Sequence, residues 1–288
     1  MAPGPRAPSG SAVGPFRLGL LNIVVTGDRS HRALTDAIEL AQLLEGFGYY
    51  RYWLAEHHAP WSAHSSPEIL VPTIASRTSR VRVGTAGILL RYYTPVKIAD
   101  QFLTLARLFP QRIELGVAWG PGVVDDRYAQ RLAGADSQFL TYRHFAANVV
   151  ELAGYIESPD ELSFWVLGSS VSSQELAIQC RANFGLSLLG QAADSDGPRL
   201  LAQHRIATRM RQSIAVTIQC SDHPAPVMTA PDWRVPPIVV SGTLDECVDQ
   251  LRRLALLYNT REIVFFHASI GISEHVVLYE QLARKLVE

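Results

Sequence analysis

Cysteine is scarce in this chain. The 288 residues contain three, at positions 180, 220 and 247, which are odd in number, far apart and without a Cys-x-x-Cys pair. That spacing speaks against zinc or redox work and fits a reducing, cytoplasmic setting. An excess of one charge is missing too. Lys and Arg total 26 against 27 Asp and Glu, for a net charge of −1, so there is no electrostatic footprint for nucleic acid or an anionic membrane, and small-molecule chemistry becomes the default. No apolar run approaches the ~20 residues that a membrane span needs. The stretch Met1 to Pro15, rich in Pro, Gly, Ala and Ser, lacks the roughly 7–15-residue apolar core of a signal peptide and reads as a disordered tail. No Gly-x-Gly-x-x-Gly turn follows the first apolar run, which leaves an open dinucleotide-binding sheet without its fingerprint.

What is present is apolar and periodic. Hydrophobic residues make up 48% of the chain, enough for one large core or two modest ones. Phe16 to Val25 is a nearly continuous apolar run, as expected of a strand buried on both faces. His31 to Gly46 then places Leu34, Ile38, Ala41 and Leu44 at helical spacing, with Ser30 as its cap. The unit repeats. Strands are expected at Arg51–Ala55, Val81–Leu90, Arg112–Ala118, Phe164–Leu167, Asn183–Leu189, Ser213–Cys220 and Glu262–Phe266. Helices are expected near Pro67–Thr78, Pro95–Phe109, Phe139–Tyr155, Val171–Arg181, Asp194–Met210, Thr243–Tyr258 and Ser273–Val287. Trp119 to Gln138 reads as a long loop, and the proline-rich Ser221 to Pro237 cannot be regular structure. Eight strand-then-helix units at a length near ~250 residues predict an α/β fold, a single (β/α)8 TIM barrel spanning 16–288.

Chemistry concentrates at the end of the second strand. In Arg51-Tyr52-Trp53-Leu54-Ala55, alternation sends Tyr52 and Leu54 to one face and Arg51, Trp53 and Ala55 to the other. Glu56, His57 and His58 follow at the carboxyl-terminal edge, where a barrel builds its site. A metal centre from His57, His58 and His64 is a poor cage, because adjacent histidines on an extended segment point apart.

Tyr52-Trp53-Leu54-Ala55-Glu56-His57-His58, Ser66-Pro67-Glu68-Ile69-Leu70, Thr78-Ser79-Arg80-Val81-Arg82-Val83-Gly84, Asp100-Gln101-Phe102, Arg112-Ile113-Glu114-Leu115-Gly116 and Leu167-Gly168-Ser169-Ser170 resemble, in order and spacing, the luciferase-like monooxygenases. The resemblance implies a TIM barrel that uses reduced FMN from a separate flavin reductase, together with O2, to oxygenate a small-molecule substrate, commonly as a homodimer. Part of the family uses a deazaflavin coenzyme and transfers hydride instead, and a flavin-binding protein without turnover is a further alternative. Carried over residue by residue, His57 matches the family's acid–base histidine, with Glu56 and His58 supporting it. Ser169, Ser170 and Ser173 resemble the serines that hold the flavin phosphate at a helix start, although ordinary helix capping explains each equally well. Lys97 looks like a basic residue for the same phosphate, or a solvated lysine. Thr85 and Ala86, small and on the third strand, would let the flavin ring approach the backbone, and Trp61, Tyr92, Tyr93 and Trp119 would wall a substrate pocket. The chain departs from the family in a shorter Ser221–Gly242 segment and in Trp119-Gly120-Pro121-Gly122 where an arginine is common.

Overall fold

The computed structural model describes residues 15–25, 31–120, 122–123, 125–134, 140–158, 161–189, 196–223, 239–267 and 273–287. The expected N-terminal tail (1–14 of it), the Ser30 cap, the start of the helix at Asp194 and most of the proline-rich stretch lie outside these residues.

Eight parallel strands close into a barrel: β1 (Arg17–Asn22), β2 (Arg51–Leu54), β3 (Arg82–Thr85), β4 (Ile113–Ala118), β5 (Ser163–Gly168), β6 (Asn183–Ser187), β7 (Gln212–Val216) and β10 (Glu262–His267), with β10 pairing back onto β1. Helices α1 (His31–Gly46), α2 (Pro67–Arg77), α3 (Pro95–Leu108), α4 (Asp126–Ala133), α5 (Tyr142–Gly154), α6 (Val171–Gln179), α7 (Gly197–Thr208), α8 (Leu244–Tyr258) and α9 (Ser273–Leu286) complete the units. The single (β/α)8 barrel read from the sequence is the fold observed. No helix among the described residues is long and apolar enough to cross a membrane.

Three expectations are corrected. The stretch after β4 is not all loop: Asp125 accepts a hydrogen bond from the Tyr128 amide, Gly134 closes the turn at φ 61°, and eight residues between them form α4. Its sequence shows no sustained apolar period because Ala129 is its one buried residue. The expected seventh strand is two. β7 stops at Val216, and the chain leaves the barrel at Thr217, whose Oγ1 and carbonyl accept the amides of Val239 and Val240. Beyond it β8 (Ile218–Cys220) pairs in parallel with β9 (Val240–Gly242). The third strand also ends early, at Thr85, before a 3-10 turn at Leu90–Tyr92.

Strand alternation divides the core. Tyr52, Leu54, Val83 and Leu115 face outward into the large cluster shared with the helices, whereas Leu21, Trp53, Trp165 and Val264 fill the barrel interior. At the amino-terminal foot that interior is ionic. Glu114, with a fully buried side chain, pairs with Arg51 at 3.1 Å, Arg82 at 2.7 Å and Arg211 at 3.4 Å, while Glu262 pairs with Arg51 at 2.7 Å and Arg211 at 2.9 Å. Burial alone would push the Glu114 carboxyl up, but the three guanidinium groups outweigh it and hold it below its ordinary value. The Arg51 guanidinium lies against the rings of Trp53 and Trp165, 4.5 and 4.4 Å from their centres, so its flat faces meet π-systems while its edges meet carboxylates. Gly84 makes this layer fit: a Cβ there would collide with the Glu114 backbone.

Candidate active site

Above the two indoles the inward positions become small. Ala55, Ala86, Ala118 and Ala215, one residue past or near the end of their strands, form part of the floor of a cavity of about 710 Å³ at the carboxyl-terminal mouth. That volume lies within the ~300–1,000 Å³ typical of small-molecule sites. Leu21, Leu167 and Phe266 complete the apolar floor, and Trp119 and Tyr142 make a wall with their rings 5.6 Å apart. No Lys, Arg, Asp or Glu lines it among the described residues. The Arg91 guanidinium lies against the wall, 4.0 Å from the Trp119 ring centre and bonded to the Leu140 carbonyl.

His57 lines the cavity from the loop after β2. Its ring is 5.0 Å from that of Trp61. Burial, then the neighbouring His64 and His58, lower its pKa to about 4, so the imidazole is neutral at pH 7. The next residue has different work. His58 Nε2 meets Glu56 Oε1 at 2.7 Å, the other Glu56 oxygen accepts the Leu89 amide at 2.9 Å, and Tyr93 donates its hydroxyl to Glu56 at 2.7 Å. This buried knot fastens the loop that presents His57. The loop is also tied to the end of β1 through the Val25–Ser62 bridge and the Ala63 amide on the Val24 carbonyl.

Across the cavity, Ser169, Ser170, Ser172 and Ser173 lie at the start of α6. Ser170 and Ser173 close a capping box, with their hydroxyl oxygens 2.7 Å apart and each accepting the other's amide. Gly168 permits this, since a Cβ there would lie 2.6 Å from that of Ser173. Ser169 and Ser172 are the exposed hydroxyls of the set that are not spent on the cap.

The structure therefore brings together His57, Ala86, Trp119, Ser169, Ser170 and Ser173 of the residues singled out in the sequence. It does not bring the others. Thr85 points outward, fully buried, its hydroxyl donating to the Gly116 carbonyl at 2.9 Å. Lys97 is exposed on α3. Tyr92 packs with Leu89, Ala129 and Leu140, Tyr93 is held by Glu56, and Trp61 packs against His57 without being among the lining residues. No group of three or more His, Cys, Asp or Glu side chains that could hold a metal ion occurs among the described residues. Ala118, Ala215, Tyr142 and Ser172 were missed; inward parity at the strand ends marks the two alanines.

The model of the luciferase-like monooxygenase family matches residues 20–139. The protein YwcH of Bacillus subtilis (strain 168) is 30% identical over 226 residues, covering 69% of this chain and 66% of its own. A luciferase-like monooxygenase of Escherichia coli (strain K12) is 33% identical over 186 residues, covering 60% of this chain and 55% of its own. The chain thus spans less than two thirds of the length of these curated relatives. Among solved structures, apo-MsnO8 superposes with a TM-score of 0.75 at 25% identity over 94% of this chain and 98% of that one. Two more distant ones share the fold. The oxygenating constituent of 3,6-diketocamphane monooxygenase of Pseudomonas putida, in complex with FMN, has a TM-score of 0.71 at 14% identity, over 95% of this chain and 98% of that one. An F420-dependent secondary alcohol dehydrogenase has 0.70 at 12%, over 95% and 100%.

Proposed function

Residues 20–139 make this chain a relative of the luciferase-like monooxygenases, and from that premise we propose that it oxygenates a small apolar organic substrate with O2 and reduced FMN. The observation that carries the reading is the pairing, across one apolar cavity, of a neutral imidazole with the serine-rich start of a helix.

The residues present fit FMN. A flat ring finds a floor of alanines and a wall of two aromatic rings, and a phosphate finds the amides of α6 with the Ser169 and Ser172 hydroxyls. Because no cation lines the cavity among the described residues, that phosphate would be held by hydrogen bonds and the helix dipole alone. When bound, reduced FMN supplies the two electrons that leave one oxygen atom of O2 in the product and the other in water. The chain's part is to orient, to exclude water and to move a proton. Leu21, Leu167 and Phe266 keep the floor dry, which strengthens every polar contact made there. His57 takes or returns the proton at a ring nitrogen, held in place by its contact with Trp61. Reduced flavin is taken to arrive by diffusion from a separate reductase, so the pure protein with FMN should not oxidise NADH or NADPH rapidly.

The test is a fluorescence titration with FMN, riboflavin and a deazaflavin coenzyme. Each charge-assisted hydrogen bond to phosphate is worth on the order of 1.5–3 kcal/mol, so FMN should bind at least tenfold more tightly than riboflavin. Equal affinities would remove the phosphate assignment, and a clear preference for the deazaflavin would replace oxygenation by hydride transfer.

A further inference from the structure

We propose that the Ser213 hydroxyl is the specificity group of the cavity, hydrogen-bonding one neutral carbonyl or hydroxyl oxygen of the substrate. The inference rests on the reading of the cavity as a flavin-dependent oxygenation site, and it adds what the second occupant carries.

Barrel order divides the cavity into two arcs. Three of the floor alanines, Ala55, Ala86 and Ala118, stand at the ends of β2, β3 and β4, and the serine-rich start of α6 follows β5. A flavin with its phosphate on α6 and its ring on those alanines covers this arc. The other arc is β6, β7, β10 and β1. Gly185, Ser187, Ser213, Ala215, Phe266 and Leu21 line the cavity from it, an apolar surface apart from two hydroxyls.

The two hydroxyls are not equivalent. Ser187 Oγ accepts the Leu189 amide at 3.3 Å. Ser213 is 1% exposed, and its hydroxyl has no hydrogen-bond partner among the described residues. In the β6–β7 register Ser213 pairs with Gly185 and Ala215 with Ser187, so Ser213 stands one inward layer deeper. Gly185 leaves room beside it: a Cβ there would collide with Leu167 and stand 3.5 Å from the Ser213 oxygen. Arg211, two residues earlier on the same face, is held by Glu262 and Glu114, which leaves the cavity as the side from which a partner can come.

Buried polar groups are almost always paired, and a hydroxyl covered by a ligand that offers it nothing loses its bond to water without replacement. The partner is neutral, because no Lys, Arg, Asp or Glu lines the cavity among the described residues and a buried charge there would be uncompensated. A serine hydroxyl both donates and accepts, so it takes a ketone or an alcohol alike. The substrate is thus anchored by its oxygen at the deep end, with its apolar body against Ala215, Phe266 and Leu21. A hydrocarbon of the same shape leaves the hydroxyl unpaired, and a site built around a hydrogen bond rejects such an analogue.

The experiment uses acetophenone, 1-phenylethanol and ethylbenzene, probes of one shape with and without the oxygen, on protein saturated with FMN and on protein without it. Calorimetric titration gives their affinities for wild type, Ser213→Ala and Ser213→Cys, the last keeping nearly the same volume with a weak S–H donor in place of O–H; either variant that keeps the wild-type Tm serves. Comparing affinity ratios between proteins cancels the hydration of the probes. The preference for acetophenone over ethylbenzene, and for 1-phenylethanol over ethylbenzene, should fall about tenfold in Ser213→Ala and by most of that in Ser213→Cys, while FMN affinity stays within twofold of wild type. Preferences that are the same in wild type and variants overturn the inference, as does a wild type that binds none of the three probes. Unchanged preferences with FMN affinity lowered tenfold or more give the hydroxyl to the flavin, which overturns the inference and leaves the oxygenation reading intact. A wild type that fails to bind FMN, with preferences that still depend on Ser213, removes the flavin reading and upholds the role of the serine.

Discussion

Replacing Glu114 by Gln tests whether the ionic foot of the barrel is held by charge or by shape. Gln has nearly the same volume, and its amide oxygen can still accept the Trp53 Nε1 hydrogen bond that Glu114 receives at 2.7 Å. The change therefore removes one negative charge from a cluster in which Arg51, Arg82 and Arg211 all point at it. Arg51 has a side chain only 1% exposed and cannot turn to water. Breaking a buried pair on one side costs about 3–5 kcal/mol, because the partner is left uncompensated. For a domain of this size each kcal/mol lowers Tm by about 2–4 °C, so Glu114→Gln should melt roughly 6–20 °C below wild type. The sign with pH follows from the depressed carboxyl. Such a group contributes its stability in full above the unfolded carboxylate pKa and loses it as pH falls through the lower folded value, so the deficit of the variant should be complete at pH 7 and shrink under acid conditions. Scanning calorimetry at pH 7 and below 4 reads both effects. Asp245→Asn, which removes the exposed partner of Lys285, is the control and should hardly move Tm, as surface pairs contribute little. A Glu114→Gln protein melting within about 1 °C of wild type would refute the reasoning.

Three further outcomes are expected. Ala86→Leu puts a branched side chain into the cavity floor and should weaken FMN binding by at least about tenfold while barely changing Tm, since the space it enters is open; calorimetric titration that finds wild-type affinity would move the ring elsewhere. Ser170→Ala removes a cap worth ~1 kcal/mol and should lower Tm, whereas Ser169→Ala should leave Tm alone and narrow the preference for FMN over riboflavin; the reverse pattern would exchange the two roles. Burial lowers His57, His64 and His275 to about 4 and His267 to about 3, so as pH drops below 6.5 the unfolded chain takes up protons that the fold refuses. Stability should then fall by up to ~1.4 kcal/mol per pH unit for each group until the folded values are reached, and a Tm constant from pH 7 to 5 would contradict this.

How much could be read without coordinates depended on period and parity. Strands such as β1 carry a dense apolar run because their two faces meet two different cores, and α1 was bounded correctly at His31 and Gly46 because its buried stripe is regular and ends at a glycine. α4 escaped notice because a helix lying on the surface with one buried residue has no stripe to detect, although Asp125 and Gly134 marked its ends. The alternation that put Trp53 and Ala55 on one face, which the structure shows is the inward one, was not applied to β3. There it sends Gly84 and Ala86 inward and Thr85 outward, which is what the Thr85–Gly116 hydrogen bond records. The knot around Glu56 draws on residues up to 37 positions apart, and no local pattern announces it. Tyr142 reaches the cavity from the start of α5, with the Trp119 ring beside it, a meeting set by the packing of the barrel and not by spacing in the chain.

The tryptophans are distributed in a way that has an optical consequence. Of the five in the chain, Trp53 and Trp119 line the cavity, Trp61 lies against His57, and the ring of Trp165 is 5.2 Å from that of Trp53. Intrinsic emission is therefore weighted toward the mouth and centre of the barrel. A bound yellow chromophore that absorbs where indole emits would dim that emission while leaving the colour of the buried Trp53 and Trp165 unchanged. Loss of the barrel would instead shift it to the red, as Trp53 and Trp165 pass from a nearly water-free environment into solvent. Occupancy and unfolding thus leave separate signatures in one unlabelled spectrum.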